Sequence, residues 1–153
     1  MNVSRKMLEL LATDEWEGTV LHIYKDDAGI PTIGIGHKIL KGENFSSGIA
    51  MDKALYLLRN DMQYTVDFIN HAVQVPLTQN QFDALCSLVF NIGTGAFAKS
   101  IVLRRINKGD MENVPDAFRM WNKITVDGEH EVNEELVERR EREIKIWEGE
   151  LRY

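Results

Sequence analysis

The strongest constraint on the fold is a short extended segment near the start of a chain that otherwise carries helical patterns. Val20 to Asp26 is rich in residues that favour strands. Asp27-Ala28-Gly29 supplies turn residues, and Thr32-Ile33-Gly34-Ile35 resumes the strand pattern. A loop of about five residues would join the strands into a hairpin and place Asp26 and Thr32 on facing strand ends.

This hairpin brings a carboxylate and a hydroxyl together. Facing residues of an antiparallel pair have Cβ atoms roughly 4.5–5.5 Å apart, so Asp26 and Thr32 could hold one water between them. Glu17 supplies a second carboxyl just after an amphipathic segment, Ser4 to Glu15. Two carboxyls at a working separation are the minimum for splitting a glycosidic bond. A general acid also needs an apolar neighbour to stay protonated, and Trp16 is adjacent in sequence.

Each of these residues also has an ordinary structural interpretation. Single Glu and Asp residues are mostly solvated surface groups, and threonine is common in strands. Gly34-Ile35-Gly36 could be a strand ending in a turn, and the chain contains no phosphate-binding GxGxxG or GxxxxGK[ST] pattern. The joint spacing of the three residues, rather than any one of them, carries the catalytic interpretation.

Composition is that of a compact globular protein. The 153 residues suit a single domain or two small lobes, and the net charge of −6 argues against affinity for nucleic acid. Attraction to an anionic polymer would need a local basic patch; Lys25, Lys38 and Lys41 are candidates, although scattered solvated lysines explain them equally well. The lone Cys86 lies at an apolar helical position, and no metal site or cofactor is expected.

The remainder of the chain is predicted to be mainly helical. A long helix is expected from Ala50 to about His71, and a capping box at Thr78 should start a helix that stops at Gly93. Further helices are predicted at 97–107 and 114–122, followed by a polar loop at 123–132. The last helix should begin at Asn133, with its i,i+4 charge pairs on a solvated face.

The pattern from Glu17 to His37, E-G-x-x-L-x-x-Y-x-D-x-x-G-x-x-T-I-G-x-G-H, resembles the phage-type lysozymes, the endolysins of glycoside hydrolase family 24. Two later segments extend the resemblance over nearly the whole chain. Ala84 to Asp110 contains an F-N-x-G-x-x-A-F core with a following serine, and Leu136 to Glu143 matches a closing L-x-x-R-R-x-x-E pattern.

The resemblance implies a mainly helical α+β lysozyme fold. A small hairpin lobe (about 14–49) and a helical lobe (about 73–153, with the N-terminal helix) would flank a cleft, joined by a helix at about 50–72. The implied reaction is hydrolysis of the β-1,4 bond between N-acetylmuramic acid and N-acetylglucosamine in peptidoglycan, with inversion.

The resemblance also assigns roles to residues. Glu17 would be the general acid, and Asp26 and Thr32 would order the attacking water. His37 would support the site, while Phe90, Asn91 and Ser100 would line the saccharide cleft. Arg139 would lie beside Glu17, or alternatively pair with Glu135 on its own helix.

The chain departs from the family at Glu135, where relatives have glycine, and at Ala98 and Ile101-Val102. Three alternative functions remain: a lytic transglycosylase that uses Glu17 alone, a non-catalytic wall-binding module, and an antibacterial effector.

Arg5-Lys6 is followed by too few uninterrupted apolar residues for a secretory signal. A monomer in the host cytoplasm is therefore expected, reaching the cell wall once a partner such as a holin opens the membrane.

Overall fold

The computed structural model describes residues 1–150; residues 151–153, the end of the predicted helical lobe, lie outside the described residues. The helices, in chain order, are α1 Arg5–Leu11, α2 Met51–Ala72, α3 Gln79–Ile92, α4 Thr94–Ala98, α5 Ile101–Asn107, α6 Val114–Arg119 and α7 Glu134–Trp147, with one 3-10 turn at Met111–Asn113. The strands are β1 Val20–Lys25, β2 Pro31–Gly34, β3 His37–Lys38, β4 Lys123–Val126 and β5 Glu129–Val132.

The chain divides into two compact units, Ser4–Tyr64 and a second unit that combines Met1–Val3 with the residues from Thr65 onward. The boundary falls within α2, whose extent agrees with the predicted long helix. The division into lobes at 14–49 and 73–153 stays a prediction.

The first unit holds a three-stranded antiparallel sheet in the order β1-β2-β3. The loop between β1 and β2 has the predicted five residues, 26–30. The apolar core of this unit comes from α1, from β2 and the residue after it, and from the first half of α2; its most buried members are Met7, Leu8, Leu11, Ile33, Ile35, Ala54, Leu58 and Met62. Burial of this apolar surface is the main stabilising term for the unit.

Gly34 ends β2 in a backbone conformation that favours glycine. Its φ is +72°, and a Cβ at this position would lie 3.6 Å from the Ala54 backbone. A side chain here would be strained by the backbone conformation, so glycine suits the end of β2.

The second unit is built on the packing of α3 against α7. The predicted capping box begins α3: the Thr78 hydroxyl accepts from the Gln81 N–H at 3.1 Å, and the Gln81 side chain accepts from the Thr78 N–H at 2.9 Å. Gly93 ends this helix and Asn133 caps α7, both as predicted. Cys86 is fully buried in α3 and is a free thiol, as expected.

The single helix predicted at 97–107 is instead two, α4 and α5. Ser100 has an extended backbone and its hydroxyl accepts from the Leu103 N–H at 3.1 Å, so it caps a new helix instead of continuing the previous one. The helix predicted at 114–122 ends at Arg119.

The polar loop predicted at 123–132 was wrong, because the segment forms the hairpin β4–β5. Asp127 and Gly128 have φ values of +50° and +83° and form the two-residue turn. Asp-Gly is a strong hairpin signal, but both strands are exposed along their whole length. Without a buried face, the alternation that identifies a strand in sequence is weak.

The solvated face predicted for α7 was also wrong at its centre. Arg139 and Arg140 are buried, and both contact Glu143, which has no exposed surface. The Ser87 hydroxyl of α3 donates to Glu143 at 2.5 Å. The charges in this part of α7 therefore form a buried network with α3.

No helix among residues 1–150 is long and apolar enough to cross a membrane.

Candidate active site

Glu17 is held by a tight turn that closes the C-terminal end of α1. The Glu17 N–H donates to the Leu11 carbonyl at 3.0 Å, and the Thr19 hydroxyl donates to the Ala12 carbonyl at 2.7 Å. These bonds satisfy carbonyls that a helix end leaves without partners. Gly18, with φ +74°, follows. Trp16 is buried whereas Glu17 is exposed, so adjacent positions in the turn have opposite environments.

Asp26 is fixed by the loop that it begins. Its Oδ1 accepts from the N–H groups of Ala28 at 2.9 Å and Ile30 at 2.8 Å, and its own N–H donates to the Ile30 carbonyl at 3.0 Å. Oδ2 is bound by the Lys38 ammonium. A carboxylate has about four acceptor positions, and three are filled here. One position on Oδ2 is left for a water molecule.

Thr32 does not face Asp26, so that part of the prediction was wrong. Thr32 pairs with Tyr24, and Asp26 lies two residues beyond Tyr24. The register differs because the Asp26 backbone pairs with Ile30 instead, across a loop closed by its own carboxylate. Residues two apart on a strand share a face, so Asp26 still lies on the Thr32 side of the sheet, as a diagonal neighbour.

The Thr32 hydroxyl has a defined orientation. The residue is 1% exposed, and its Oγ1 donates to the Ile30 carbonyl at 2.9 Å. Because that bond uses the only hydroxyl hydrogen, the oxygen lone pairs can only accept. The Thr32 oxygen can therefore accept a further hydrogen bond.

Lys38 is the main electrostatic partner of Asp26. It lies on β3 directly opposite Thr32. The hydrogen bond from Lys38, followed by that from the Ile30 N–H, lowers the pKa of Asp26 below its usual 3.8. The carboxylate is consequently ionised at neutral pH.

His37 is buried between two carboxylates. Its Nδ1 lies 2.8 Å from Asp61 Oδ2, and its Nε2 lies 2.9 Å from Glu43 Oε1. The imidazolium form, in which both ring nitrogens donate, satisfies both carboxylates at once. Burial lowers the pKa of His37, but the hydrogen bonds and charges of Glu43 and Asp61 outweigh it and raise the pKa above 6.5.

The two carboxylates have different environments. Burial raises the pKa of Asp61, and its bond to His37 only partly offsets that effect. The N–H of Leu40, which donates to Glu43 at 2.6 Å, and then His37 lower the pKa of Glu43. His37 thus joins β3 to α2 through Asp61 and to the following turn through Glu43.

The other predicted site residues belong to the second unit. Phe90 is half-buried and Asn91 is exposed near the end of α3, where the Asn91 side chain accepts from Arg140. Ser100 is buried, and its hydroxyl donates to the Phe97 carbonyl at 2.7 Å. Arg139 donates to the Ser87 hydroxyl at 3.2 Å as well as to Glu143.

Three residues that bind Asp26 or His37 in this site were not predicted from the sequence to do so. Lys38 was considered only as part of a basic patch, and Glu43 and Asp61 were not considered at all. A lysine six residues after Thr32, across a short turn, is a readable signal. Asp61 offered no signal, because its contact with His37 spans 24 residues. Among residues 1–150, no group of three or more His, Cys, Asp or Glu side chains is arranged to hold a metal ion.

The chain matches the phage lysozyme family model over residues 14–143. It is 48% identical over 114 residues to the endolysin of Salmonella phage P22, covering 72% of this chain and 78% of the relative. It is 38% identical to the endolysin of Acyrthosiphon pisum secondary endosymbiont phage 1, covering 97% of this chain and 99% of the relative.

A solved structure gives the same result. The muramidase domain of SpmX from Asticaccaulis excentricus superimposes with a TM-score of 0.85 at 35% identity, covering 95% of this chain and 97% of that domain. These matches confirm the predicted lysozyme fold class and the endolysin function expected from the sequence. The chain belongs to the phage lysozyme family.

Proposed function

We propose that this endolysin hydrolyses the β-1,4 bond between N-acetylmuramic acid and N-acetylglucosamine in peptidoglycan, with Glu17 as the general acid. Asp26 and Thr32 hold the attacking water. The observation that carries the proposal is the pair of oriented acceptors on one face of the sheet. Asp26 keeps one acceptor position on Oδ2, and the Thr32 hydroxyl, committed to the Ile30 carbonyl, offers its lone pairs.

The proton balance follows from these positions. Glu17 gives its proton to the leaving glycosidic oxygen as the carbon–oxygen bond breaks. The water oxygen bonds to the anomeric carbon from the opposite side, and its proton passes to Asp26. The two carboxyls then exchange the proton through solvent, which restores the enzyme.

We propose inversion instead of retention. A retaining enzyme uses the second carboxylate as a nucleophile. Asp26 is poorly suited to that role, because two N–H groups and one ammonium already bind its oxygens. Each such bond stabilises the negative charge and weakens the attack on carbon. An α-anomeric product, observed by NMR before mutarotation, supports inversion, and a β-anomeric product contradicts it.

The remaining residues are proposed to act around this centre. His37 supports it by anchoring β3 to Asp61. Phe90, Asn91 and Ser100 contact the saccharide, as the family resemblance implies. Of these, Asn91 is exposed and its amide oxygen is held by Arg140. The expectation that Arg139 lies beside Glu17 stays a prediction.

Glu17→Gln tests the proposed acid. The amide cannot donate a proton as an acid does, and acid–base catalysis contributes roughly 10²–10⁴-fold. We expect the variant to fold and to lose activity by about that factor, measured by release of reducing ends from purified peptidoglycan. Glu15→Gln is the matched control, because Glu15 is also exposed in the same turn. Near wild-type activity of folded Glu17→Gln would exclude Glu17 as the acid.

We also propose that the protein acts as a monomer and reaches the wall only after a holin or a similar partner opens the membrane. The burial of Met7, Leu8 and Leu11 makes α1 part of the folded unit. Expression in a Gram-negative host should be tolerated until chloroform is added, and prompt lysis without chloroform would contradict the route. A dimer in sedimentation experiments would contradict the monomer.

A further inference from the structure

We propose that Lys38 is a positioning residue for the water-activating carboxylate. Its ammonium binds one oxygen of Asp26 above Thr32 and keeps that oxygen aimed at the water. This inference rests on the proposed function and names a residue that acts through Asp26.

The strand register places Lys38 for this role. Lys38 of β3, Thr32 of β2 and Tyr24 of β1 form one row across the sheet. Paired residues of adjacent strands project to the same face. Asp26 follows β1 and lies two residues beyond this row, so its backbone is separated from that of Lys38 by more than two inter-strand spacings of about 4.7–4.9 Å each. The contact between them therefore requires the lysine chain to extend across β2 on the Thr32 side.

The two oxygens of Asp26 then have separate tasks. Oδ1 is occupied by the N–H groups of Ala28 and Ile30, which fix the loop. Oδ2 is bound by Lys38 and retains a free acceptor position. Without the ammonium, Oδ2 would be restrained only through the Oδ1 contacts, and the carboxylate could rotate away from Thr32.

The backbone of Lys38 is itself anchored. The preceding residue, His37, is bound by Asp61 of α2 and by Glu43 of the following turn. Lys38 thus extends from a fixed strand, although its side chain is 52% exposed. The other charged or titratable groups close to Asp26 in the chain are Tyr24, Lys25 and Asp27. Lys38 supplies the charge that lowers the pKa of the Asp26 carboxyl.

Lys38→Met tests the inference, because methionine keeps an unbranched stem without the charge. In the profile of kcat/KM against pH, the acid limb reports ionisation of the proposed base in the free enzyme. We expect that limb to move to higher pH, while the basic limb stays in place. We also expect kcat at neutral pH to fall on the order of 10-fold through misorientation, with little change in KM.

Two further variants sharpen the test. Lys38→Arg keeps a cation and should restore the acid limb of wild type. Lys25→Met removes another exposed positive charge beside Asp26 in the chain, opposite Pro31, and should leave the profile unchanged. The substrate is a soluble glycan strand from purified peptidoglycan, so that binding to the cell surface does not affect the rates.

The outcomes separate this inference from the proposed function. If Asp26→Asn abolishes hydrolysis but Lys38→Met leaves both the acid limb and kcat unchanged, Lys38 has no positioning role. A fall in kcat with an unmoved acid limb, or an equal effect of Lys25→Met, also overturns the inference. If Asp26→Asn is itself active, the proposed function fails first.

Discussion

At the scale of single residues, the proposed hydrolysis depends on the acceptors that hold the attacking water. Asp26→Asn and Thr32→Ala should each reduce hydrolysis by about 10²-fold or more, because the water loses an orienting partner. Rates of reducing-end release measure this effect. Thr32→Ala also removes a bond to the Ile30 carbonyl, at a cost of about 1 kcal/mol of stability.

The appropriate control for Thr32→Ala is Thr65→Ala, since Thr65 is another buried threonine outside the site. Loss of stability without loss of rate is the expected result for the control. Normal hydrolysis by Thr32→Ala would remove the hydroxyl from the mechanism.

The environment of His37 predicts how the free energy of unfolding depends on pH. The pKa of His37 is raised in the folded protein by Glu43 and Asp61, despite its burial. The ion pairs of His37 therefore stabilise the folded protein fully when the pH is below about 6.5, the pKa of His37 in the unfolded chain. This stabilisation is lost as the pH rises through the higher pKa of His37 in the folded protein. The difference in unfolding free energy between wild type and His37→Gln should be larger at pH 6 than at pH 9.

Urea denaturation at several pH values measures this difference. His71→Gln, which removes an exposed histidine of α2, is the control for changes outside the site. A difference that grows as the pH rises above neutrality would show that His37 is not stabilised as an imidazolium.

At the scale of elements, α3 and α7 are joined by the buried charges around Glu143. Glu143→Gln keeps the shape but leaves Arg139 and Arg140 without their carboxylate, so a loss of about 3–5 kcal/mol is expected. Glu141→Gln on the same helix breaks only the exposed pair with Arg119 and should cost about 0–1 kcal/mol. Equal losses in the two variants, measured by chemical denaturation, would contradict the buried network.

The elements also show where sequence patterns succeed. The helices α2, α3 and α7 were predictable because their apolar spacing is long and capping residues mark the starts of α3 and α7. The β4–β5 hairpin was missed because both of its strands are exposed, and the break at Ser100 because apolar residues continue on both sides of it.

At the scale of the whole molecule, the family and the fold class were predictable because the resemblance extends over most of the chain. The contacts that shape the site were harder to predict from the sequence. The register that pairs Thr32 with Tyr24 depends on how the 26–30 loop closes, and the contact of His37 with Asp61 depends on how α2 packs. Neither contact leaves a periodic signal in the sequence.

The most direct test of the central claim is mass spectrometry of the products formed from purified peptidoglycan in ¹⁸O-labelled water. Hydrolysis by a held water predicts reducing muramic ends that carry one labelled oxygen at the new anomeric position, scored after borohydride reduction quenches the digest. Anhydro-muramic ends without the label would instead show that the substrate's own hydroxyl closes a ring. That result would contradict a water-activating role for Asp26 and Thr32.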